Sequence, residues 1–163
     1  MKNKTITIII LLLFLSAIVS PIISSSPIDD DQSISIIYVD DDAEDFWYDS
    51  THVKNIQEGI DNASEGDLVI VHNGTYYEHS IINKTIHLKG KSKTNTIIDG
   101  QETGTVITIT ADNTSVSNLT IKKAGNKPSS HSGILINSNN NTISNIITTS
   151  NDIYGINIVS ASG

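Results

Sequence analysis

A dense run of carboxylates in the first third of the chain holds the residues best suited to binding a metal ion. It comprises Asp40, Asp41, Asp42, Glu44 and Asp45. Carboxylate oxygens are the hard ligands that Ca²⁺ prefers, although their spacing differs from that of an EF-hand loop. A solvated acidic segment has the same composition. We therefore name these residues as calcium candidates and predict no other cofactor.

The five histidines are the residues that copper or zinc would use. They are His52, His72, His79, His87 and His131. His72 and His87 fall at the ends of neighbouring predicted strands, where two imidazoles can approach each other. No thiol or methionine cluster joins them, because the chain lacks cysteine and Met1 is its only methionine. We predict no transition-metal site.

Aspartates that could form a catalytic acid and base pair are sparse after residue 68. They are Asp99, Asp112 and Asp152. Asp99 precedes Gly100 and Asp112 precedes Asn113, which is the composition of turns. We predict turn roles for both aspartates and name no catalytic residue.

Asparagine-linked glycans are a further expectation. Six Asn-x-Ser/Thr sequons occur, at Asn62, Asn73, Asn83, Asn113, Asn118 and Asn140. On an exported chain such sequons accept glycans at exposed loops. A chain rich in Asn, Ser and Thr also produces sequons by chance, so both interpretations stay open.

Residues 1–26 have the layout of a secretory signal peptide. Lys2 and Lys4 precede an uncharged run, 5–19, and small residues follow. The run is about 15 residues, short of the ~20 that span a bilayer, although an uncleaved anchor is the alternative. We expect a secreted or cell-surface protein that meets a membrane only through this segment or a missing C-terminal anchor. The formal net charge of −8 opposes binding to nucleic acid.

The predicted secondary structure that would position these residues changes at residue 51. An acidic segment, 27–50, includes one possible strand, ISIIYV (34–39). Within 51–66, apolar residues at helical spacing predict an amphipathic helix over 52–63, with Ser50 or Thr51 as its N-cap. After Gly66 the period becomes two, which predicts short strands. They are LVIV (68–71), TYYEHSI (75–81), TIHLKG (85–90), TIIDG (96–100), VITIT (106–110), VSNLTI (116–121), GILI (133–136), TISNII (142–147) and YGINIV (154–159).

These strands repeat at a spacing of about 22 residues, which is typical of a solenoid. Residues 114–120 match 141–147, and 133–137 match 155–159. We divide the strands into two interleaved sets, one with LVIV, TIHLKG, VITIT, GILI and YGINIV, and expect each coil to contribute a strand to each of two or three parallel sheets. The prediction is an all-β, right-handed parallel β-helix over 67–163, with isoleucine stacked inside and asparagine at the turns. Residues 122–132 form an insert that should bulge as a loop.

The predicted helix would cap one end of the solenoid, where apolar side chains and strand edges are otherwise exposed. No matching cap precedes Gly163, so we expect that the C-terminal coils are missing. Aromatic residues cluster before the helix, at Tyr38, Phe46, Trp47 and Tyr48, and again at 76–77. Exposed rings stack on sugars, but we favour Phe46 or Trp47 packing the helix against the first coil.

The chain resembles a known group of proteins through three stretches. They are IYVDDDA, THVKNIQEGIDNASEGDLVIVHNGTYYE and INKTIHLKGKSKTNTIIDG. These resemble the opening of right-handed parallel β-helix proteins of the pectin-lyase-like superfamily, in particular NosD-type (periplasmic copper-binding) and carbohydrate-binding domains of surface proteins. The later sequence ADNTSVSNLTIKKAG…SGILINSNNNTISNIITTSNDIYGINI resembles their coil repeat, so the resemblance covers about residues 36–160. Lyases and esterases of that superfamily typically rely on an arginine, and this chain has none.

We therefore predict an exported or cell-surface β-helix module that serves as a scaffold or adhesin, with possible contact to extracellular polysaccharide and no catalysis in this segment. The first alternative is a polysaccharide-degrading or polysaccharide-modifying enzyme whose active site lies beyond residue 163. The second is a NosD-like factor for copper-site maturation, which the resemblance alone implies.

Overall fold

A computed structural model describes residues 33–125 and 131–159. The predicted signal peptide, residues 27–32 of the acidic segment and the centre of the 122–132 insert lie outside these ranges. The strands are β1 (Ile36–Val39), β2 (His52–Val53), β3 (Leu68–Val71), β4 (Gly74–Tyr76), β5 (Ser80–Ile82), β6 (His87–Gly90), β7 (Thr96–Asp99), β8 (Ile107–Ile109), β9 (Ser115–Ser117), β10 (Thr120–Lys122), β11 (Ser132–Ile136), β12 (Thr142–Ser144), β13 (Ile147–Thr149) and β14 (Tyr154–Ile158). One short 3-10 helix covers Asp45–Trp47, and α1 covers Ile56–Asn62. Neither helix is long enough to cross a membrane.

The strands form three sheets, and every pairing between named strands is parallel. Sheet A has the order β12-β9-β6-β3-β1-β2, sheet B has β13-β10-β7-β4, and sheet C has β14-β11-β8-β5. Successive strands therefore visit sheets A, B and C in turn. Coil 1 is β3 to β5, coil 2 is β6 to β8, coil 3 is β9 to β11, and coil 4 is β12 to β14. The predicted all-β parallel β-helix is confirmed.

The prediction of two interleaved strand sets is wrong, because each coil contains three strands. LVIV and TIHLKG contribute β3 and β6 to sheet A, whereas VITIT, GILI and YGINIV contribute β8, β11 and β14 to sheet C. Alternating polarity is the same in all three sheets, so the period alone cannot say to which sheet a strand belongs. The two text repeats are nevertheless in register, since Thr120 pairs with Ile147 and Ile134 pairs with Ile156.

Asparagines at the corner between sheets A and B explain why one predicted strand becomes two. Asn118 and Asn145 have φ angles of 58° and 51°, in the left-handed region. That conformation ends a strand, so VSNLTI divides into β9 and β10, and TISNII into β12 and β13. The Asn145 amide also donates a hydrogen bond to the Asn118 side-chain oxygen in the coil before. The predicted asparagine turns and ladder are therefore present at this corner.

Inward side chains stack in columns that run along the solenoid axis. They are fully or almost fully buried, and the columns include Ile37, Val69, Leu88 and Val116 on sheet A, Tyr76, Ile98 and Ile121 on sheet B, and Ile82, Ile109 and Ile136 on sheet C. β-branched residues suit these positions because their restricted rotamers pack well on a pleated surface.

Helix α1 covers the core beside the first strands of sheets A and C, where Ile56 and Ile60 are fully buried. It begins at Ile56, four residues later than predicted, because His52–Val53 pair with β1 as strand β2. A side chain at Gly59 would place its Cβ 2.8 Å from a Val39 methyl carbon, so only glycine lets the helix approach β1 this closely.

The N-terminus of α1 is capped by Glu78. The predicted N-cap, Ser50 or Thr51, is therefore wrong, and no local motif indicated Glu78. The two carboxylate oxygens of Glu78 accept hydrogen bonds from the backbone N–H groups of Ile56 (2.9 Å) and Gln57 (3.0 Å). These N–H groups are donors that a helix leaves without intrahelical partners. A negative charge there also interacts favourably with the positive end of the helix dipole. The turn between β4 and β5 thereby fixes the helix to coil 1.

Truncation of a column residue should destabilise the fold far more than truncation of an outward residue. We expect Ile121→Ala to lower the free energy of unfolding by about 3 kcal/mol, because Ile121 is fully buried and a cavity would remain. Ile81→Ala is the control, because Ile81 is 53% exposed and its loss should cost under about 1 kcal/mol. Urea denaturation measures both, and equal losses would contradict the stacked core.

Removal of the remote helix cap is expected to destabilise the protein without changing its core. Glu78→Ala should lower the free energy of unfolding by about 1–2 kcal/mol, since two N–H groups lose a charged acceptor. Glu65→Ala removes an exposed carboxylate on the loop after the helix and serves as the control. Chemical denaturation of both variants tests the assignment, which fails if the two midpoints shift alike.

Candidate functional site

The structure brings three of the five calcium candidates together. Asp40, Asp41 and Asp42 follow β1 and each offers a carboxylate oxygen within 4.8 Å of the others. The pKa of Asp42 is raised, first by a side-chain hydrogen bond with Asp40 and then by the negative charge of that neighbouring carboxylate. Glu44 and Asp45 do not join this group, and Asp45 instead lies 3.7 Å from the Lys54 ammonium. Calcium binding stays a prediction.

The aromatic residues near this group separate into packed and exposed rings. Trp47 packs on the outer side of sheet A, with ring centroids 4.5 Å from His52 and 5.7 Å from His72. Tyr38 stacks on His52 at 5.2 Å. Phe46 is 89% exposed. The prediction that Phe46 packs α1 against the first coil is therefore wrong.

His52 and His72 both lie against the Trp47 ring, and the Nδ1 atom of each of the five histidines has a polar partner. Val71 pairs with Gly90, so His72 lies beyond one end of β3, whereas His87 lies at the opposite end of β6. Four residues of strand separate their levels, which is roughly 13 Å. The approach of His72 to His87 that the strand ends suggested therefore does not occur. The partners of Nδ1 are Asp49 for His52, Asp40 for His72, Thr105 for His79, Ser115 for His87 and Gly125 for His131.

A polar groove of about 750 Å³ runs along the corner between sheets B and C. We call it the corner groove. The described residues that line it follow β7, β10 and β13, in coils 2, 3 and 4. Its lining residues are Gln101, Glu102, Thr103, Ala124, Gly125, Ser150, Asn151 and Asp152. The groove thus presents amide, hydroxyl and carboxylate side chains from coils 2 and 4, with Ala124 and Gly125 of coil 3 between them.

The lining residues divide into those that hold the turns and those that are free to bind. The Asn151 side chain accepts a hydrogen bond from the Ala124 N–H (2.9 Å) and is part of the coil stacking. Within 33–125 and 131–159, the side chains of Gln101, Glu102 and Asp152 make no hydrogen bond. Polar side chains with no internal partner on a concave surface are the groups that recognise a ligand.

Asp99 supports the corner groove from its edge. Its carboxylate is 2% exposed and its Oδ2 lies 3.3 Å from Lys122 Nζ and 3.1 Å from Lys123 Nζ. Burial acts to raise the pKa of Asp99, but the hydrogen bonds from the Gln101 N–H and the two lysines outweigh it and hold the pKa below its usual value. The bond from Gln101 (2.9 Å) is a turn contact, as predicted for this aspartate.

The other two aspartates have surroundings that differ from those of Asp99. Asp112 lies at the corner between sheets C and A, where its carboxylate accepts a hydrogen bond from the Asn139 N–H (2.6 Å), which is a turn role. Asp152 lines the corner groove, but Asp99 is held by its lysines.

Five of the six sequon asparagines are exposed, namely Asn62, Asn73, Asn83, Asn113 and Asn140. Asn118 is half-buried, its oxygen accepts the Asn145 amide, and Thr120 of the same sequon is 8% exposed. Asn118 is therefore the least accessible acceptor. Asn83, Asn113 and Asn140 all lie at the corner between sheets C and A, away from the corner groove. Glycosylation stays a prediction.

Two solved structures of pectin methylesterases resemble the chain. Pectin methylesterase PemA from Erwinia chrysanthemi superposes with a TM-score of 0.58 at 16% sequence identity, covering 76% of this chain and 45% of that one. A crystal structure of a pectin methylesterase mutant in complex with a hexasaccharide gives a TM-score of 0.49 at 19% identity, covering 62% and 38%. The feature that this chain shares with PemA is the parallel β-helix fold.

This chain spans less than half the length of either pectin methylesterase. No protein-family model matches the sequence, and no curated protein matches it. At these identities the comparison shows the fold alone.

The lysine clamp on Asp99 should give stability a specific pH dependence. Its lowered pKa means that the carboxylate stabilises the fold above the unfolded value of 3.8, and that this contribution is lost as the pH falls further. We expect Asp99→Asn to cost about 2 kcal/mol at neutral pH. The difference between wild type and variant should shrink as the pH falls through about 4 toward 3. Denaturation at a series of pH values measures it. Asp152→Asn is the control, and a difference that is independent of pH would contradict the clamp.

Proposed function

We propose that the chain is an extracytoplasmic β-helix module that binds polysaccharide along the corner groove and does not cleave it. The observation that carries the proposal is the set of groove side chains, Gln101, Glu102 and Asp152, that have no internal hydrogen-bond partner in the described residues. Sugar hydroxyl groups both donate and accept hydrogen bonds, so amides and carboxylates in an open groove suit them. The signal-like residues 1–26 and the shared fold with pectin methylesterases support an exported protein.

An exposed aromatic ring extends this surface. Tyr77 follows β4 at the same corner in coil 1, and it is 64% exposed. Because Tyr76 pairs with Ile98, Tyr77 lies beside Asp99 at the near end of the corner groove. A ring at the end of a polar groove supplies the apolar contact that a sugar face uses, while the groove supplies hydrogen bonds.

The scaffold keeps these groups in fixed positions. The turns that form the groove are tied to one another by backbone hydrogen bonds between coils, such as Glu102 N–H to Lys123 O (2.8 Å) and Asp152 N–H to Ala124 O (2.9 Å). A rigid site loses little conformational entropy when it binds, which favours a long, repetitive ligand.

An enzyme that modifies polysaccharide is the second candidate, because the chain shares its fold with pectin methylesterase PemA. The two candidates differ in a direct assay. Incubation with methyl-esterified pectin should release no methanol above background if the chain only binds. Sustained release at a rate proportional to protein concentration would replace our proposal with the enzymatic one.

Loss of the exposed ring should weaken polysaccharide binding. We expect Tyr77→Ala to lower affinity for a retained polysaccharide by roughly fivefold, or about 1 kcal/mol. Phe46→Ala removes another exposed ring, away from the corner groove, and should leave affinity unchanged. Affinity electrophoresis through gels that contain neutral, anionic or cationic polysaccharides makes the measurement. Retardation by none of these gels would refute the proposed function.

A further inference from the structure

We infer that the corner between sheets A and B carries a second binding surface, which takes glycans whose sugars bear sulfate or phosphate ester groups. The residues responsible are Lys89, Lys91 and Lys93 of coil 2. They lie within a stretch, 79–98, that contains no aspartate or glutamate, although the whole chain has a formal net charge of −8. This surface lies on a different corner from the corner groove, so the inference goes beyond the proposed function.

A well-ordered loop holds these lysines in place. Five residues, 91–95, join β6 to β7, whereas two residues make the same turn between β9 and β10. The longer turn is fixed by a hydrogen bond from the Thr96 N–H to Ser92 O (2.8 Å). The Thr120 hydroxyl donates to Lys93 O (2.6 Å), which holds the loop against coil 3. Cations on a preorganised loop lose little conformational entropy when a ligand binds.

The three ammonium groups form no ion pair with any residue that the structure describes. Acidic residues do lie at this corner, but they follow β1 and contact coil 1. Asp40 Oδ2 lies 2.8 Å from His72 Nδ1, and Asp41 Oδ1 would lie 2.7 Å from a Cβ placed on Gly74. Their charge repels an anionic glycan from coil 1, so the ligand should lie over coils 2 to 4.

The surface beside the lysines supplies neutral hydrogen-bonding groups. Lys89 is exposed on the outer face of sheet A, where it pairs with Ser117, and Ser117 pairs with Ser144. At the corner, the Asn145 amide donates to the Asn118 side-chain oxygen, which leaves the Asn118 amide N–H groups as donors. The described outer face of sheet A in coils 2 to 4 holds no Phe, Tyr or Trp, so the bases of a single-stranded nucleic acid would find no ring to stack on.

This arrangement suits a tetrahedral oxyanion better than a carboxylate. A lysine ammonium is a point charge with three donors, and it lacks the planar fork with which arginine meets a carboxylate. A sulfate or phosphate ester presents three diverging oxygens, so it can accept from ammonium, hydroxyl and amide groups of different residues. The surface offers all three kinds of donor, whereas the chain contains no arginine. The order of preference is therefore sulfate or phosphate ester, carboxylate and neutral sugar.

Calorimetric titration with matched hexasaccharides tests this order. The ligands are maltohexaose, maltohexaose with one sulfate ester per sugar, maltohexaose with one phosphate ester per sugar and a galacturonate hexamer. We expect the better of the two esters to bind about tenfold more tightly than maltohexaose at low salt, because several exposed ion pairs act together. The advantage should shrink as ionic strength rises. Comparison of the two esters identifies the preferred group, and affinity for the galacturonate hexamer equal to that for both would overturn the inference.

Variants separate the lysines from the net charge of the protein. Lys91→Gln and Lys93→Gln should each lower affinity for the better ester by roughly two- to fivefold. Lys54→Gln is the control, because Lys54 follows β2, three strands from β6 in sheet A, and lies 3.7 Å from Asp45. An equal loss in all three variants would overturn the inference, since binding would then follow net charge.

Other occupants of this surface give different results. An oligothymidylate of about six nucleotides that binds as tightly as the better ester would show that the surface does not select glycans, and would overturn the inference. A dimer that forms at low salt and is lost in Lys93→Gln would assign the lysines to a second copy of the chain instead. Sedimentation velocity of the wild type and this variant makes that measurement.

Tyr77→Ala distinguishes this inference from the proposed function. Because Tyr77 lies at the corner groove, its loss should leave affinity for the better ester unchanged. A loss as large as that of Lys91→Gln would place the ester at the corner groove and overturn the second surface. Ester binding that depends on Lys91, together with no effect of Tyr77→Ala in the neutral gel, would remove the corner-groove proposal and leave this one.

Discussion

Parallel, in-register pairing between successive coils is the interaction on which the rest of the structure depends. Each strand hydrogen-bonds to the equivalent strand of the next coil, and the pairing of Thr120 with both Ile97 and Ile147 is one example. A shift by one residue would turn a whole column of isoleucines to the outside. The register therefore has to be fixed at the corners, where the chain changes direction.

Left-handed residues fix it there, and they recur at equivalent places in coils 3 and 4. Asn113 and Asn140 have φ angles of 55° and 56° at one corner, and Lys123 and Ser150 have 57° and 53° at another. Asparagine adopts this conformation more readily than most residues, since its side chain bonds locally. Four asparagines of the described residues, Asn113, Asn118, Asn140 and Asn145, therefore serve at corners.

The same stacking produces the corner groove. The turn between β7 and β8 is longer than the turn between β13 and β14, so successive coils differ in outline at this corner while the strands remain aligned. Backbone positions are held by bonds between coils, and the side chains of Glu102 and Asp152 are left to solvent. The stability of the solenoid and its capacity to bind a ligand therefore involve different atoms of the same turns.

The sequence by itself determined the class of fold, because a two-residue period interrupted by Asn and Gly, repeated at solenoid spacing, is compatible with little else. It also determined the register of the later coils, through the matches of 114–120 with 141–147. Only the tertiary structure decided that three sheets exist, that Glu78 caps α1, and that His72 and His87 lie apart. It also decided that Glu102, Gly125 and Asp152 meet. The physical reason is that periodicity records which side chains face inward, whereas these contacts join residues more than 20 positions apart, or in different turns, and depend on how the coils superpose.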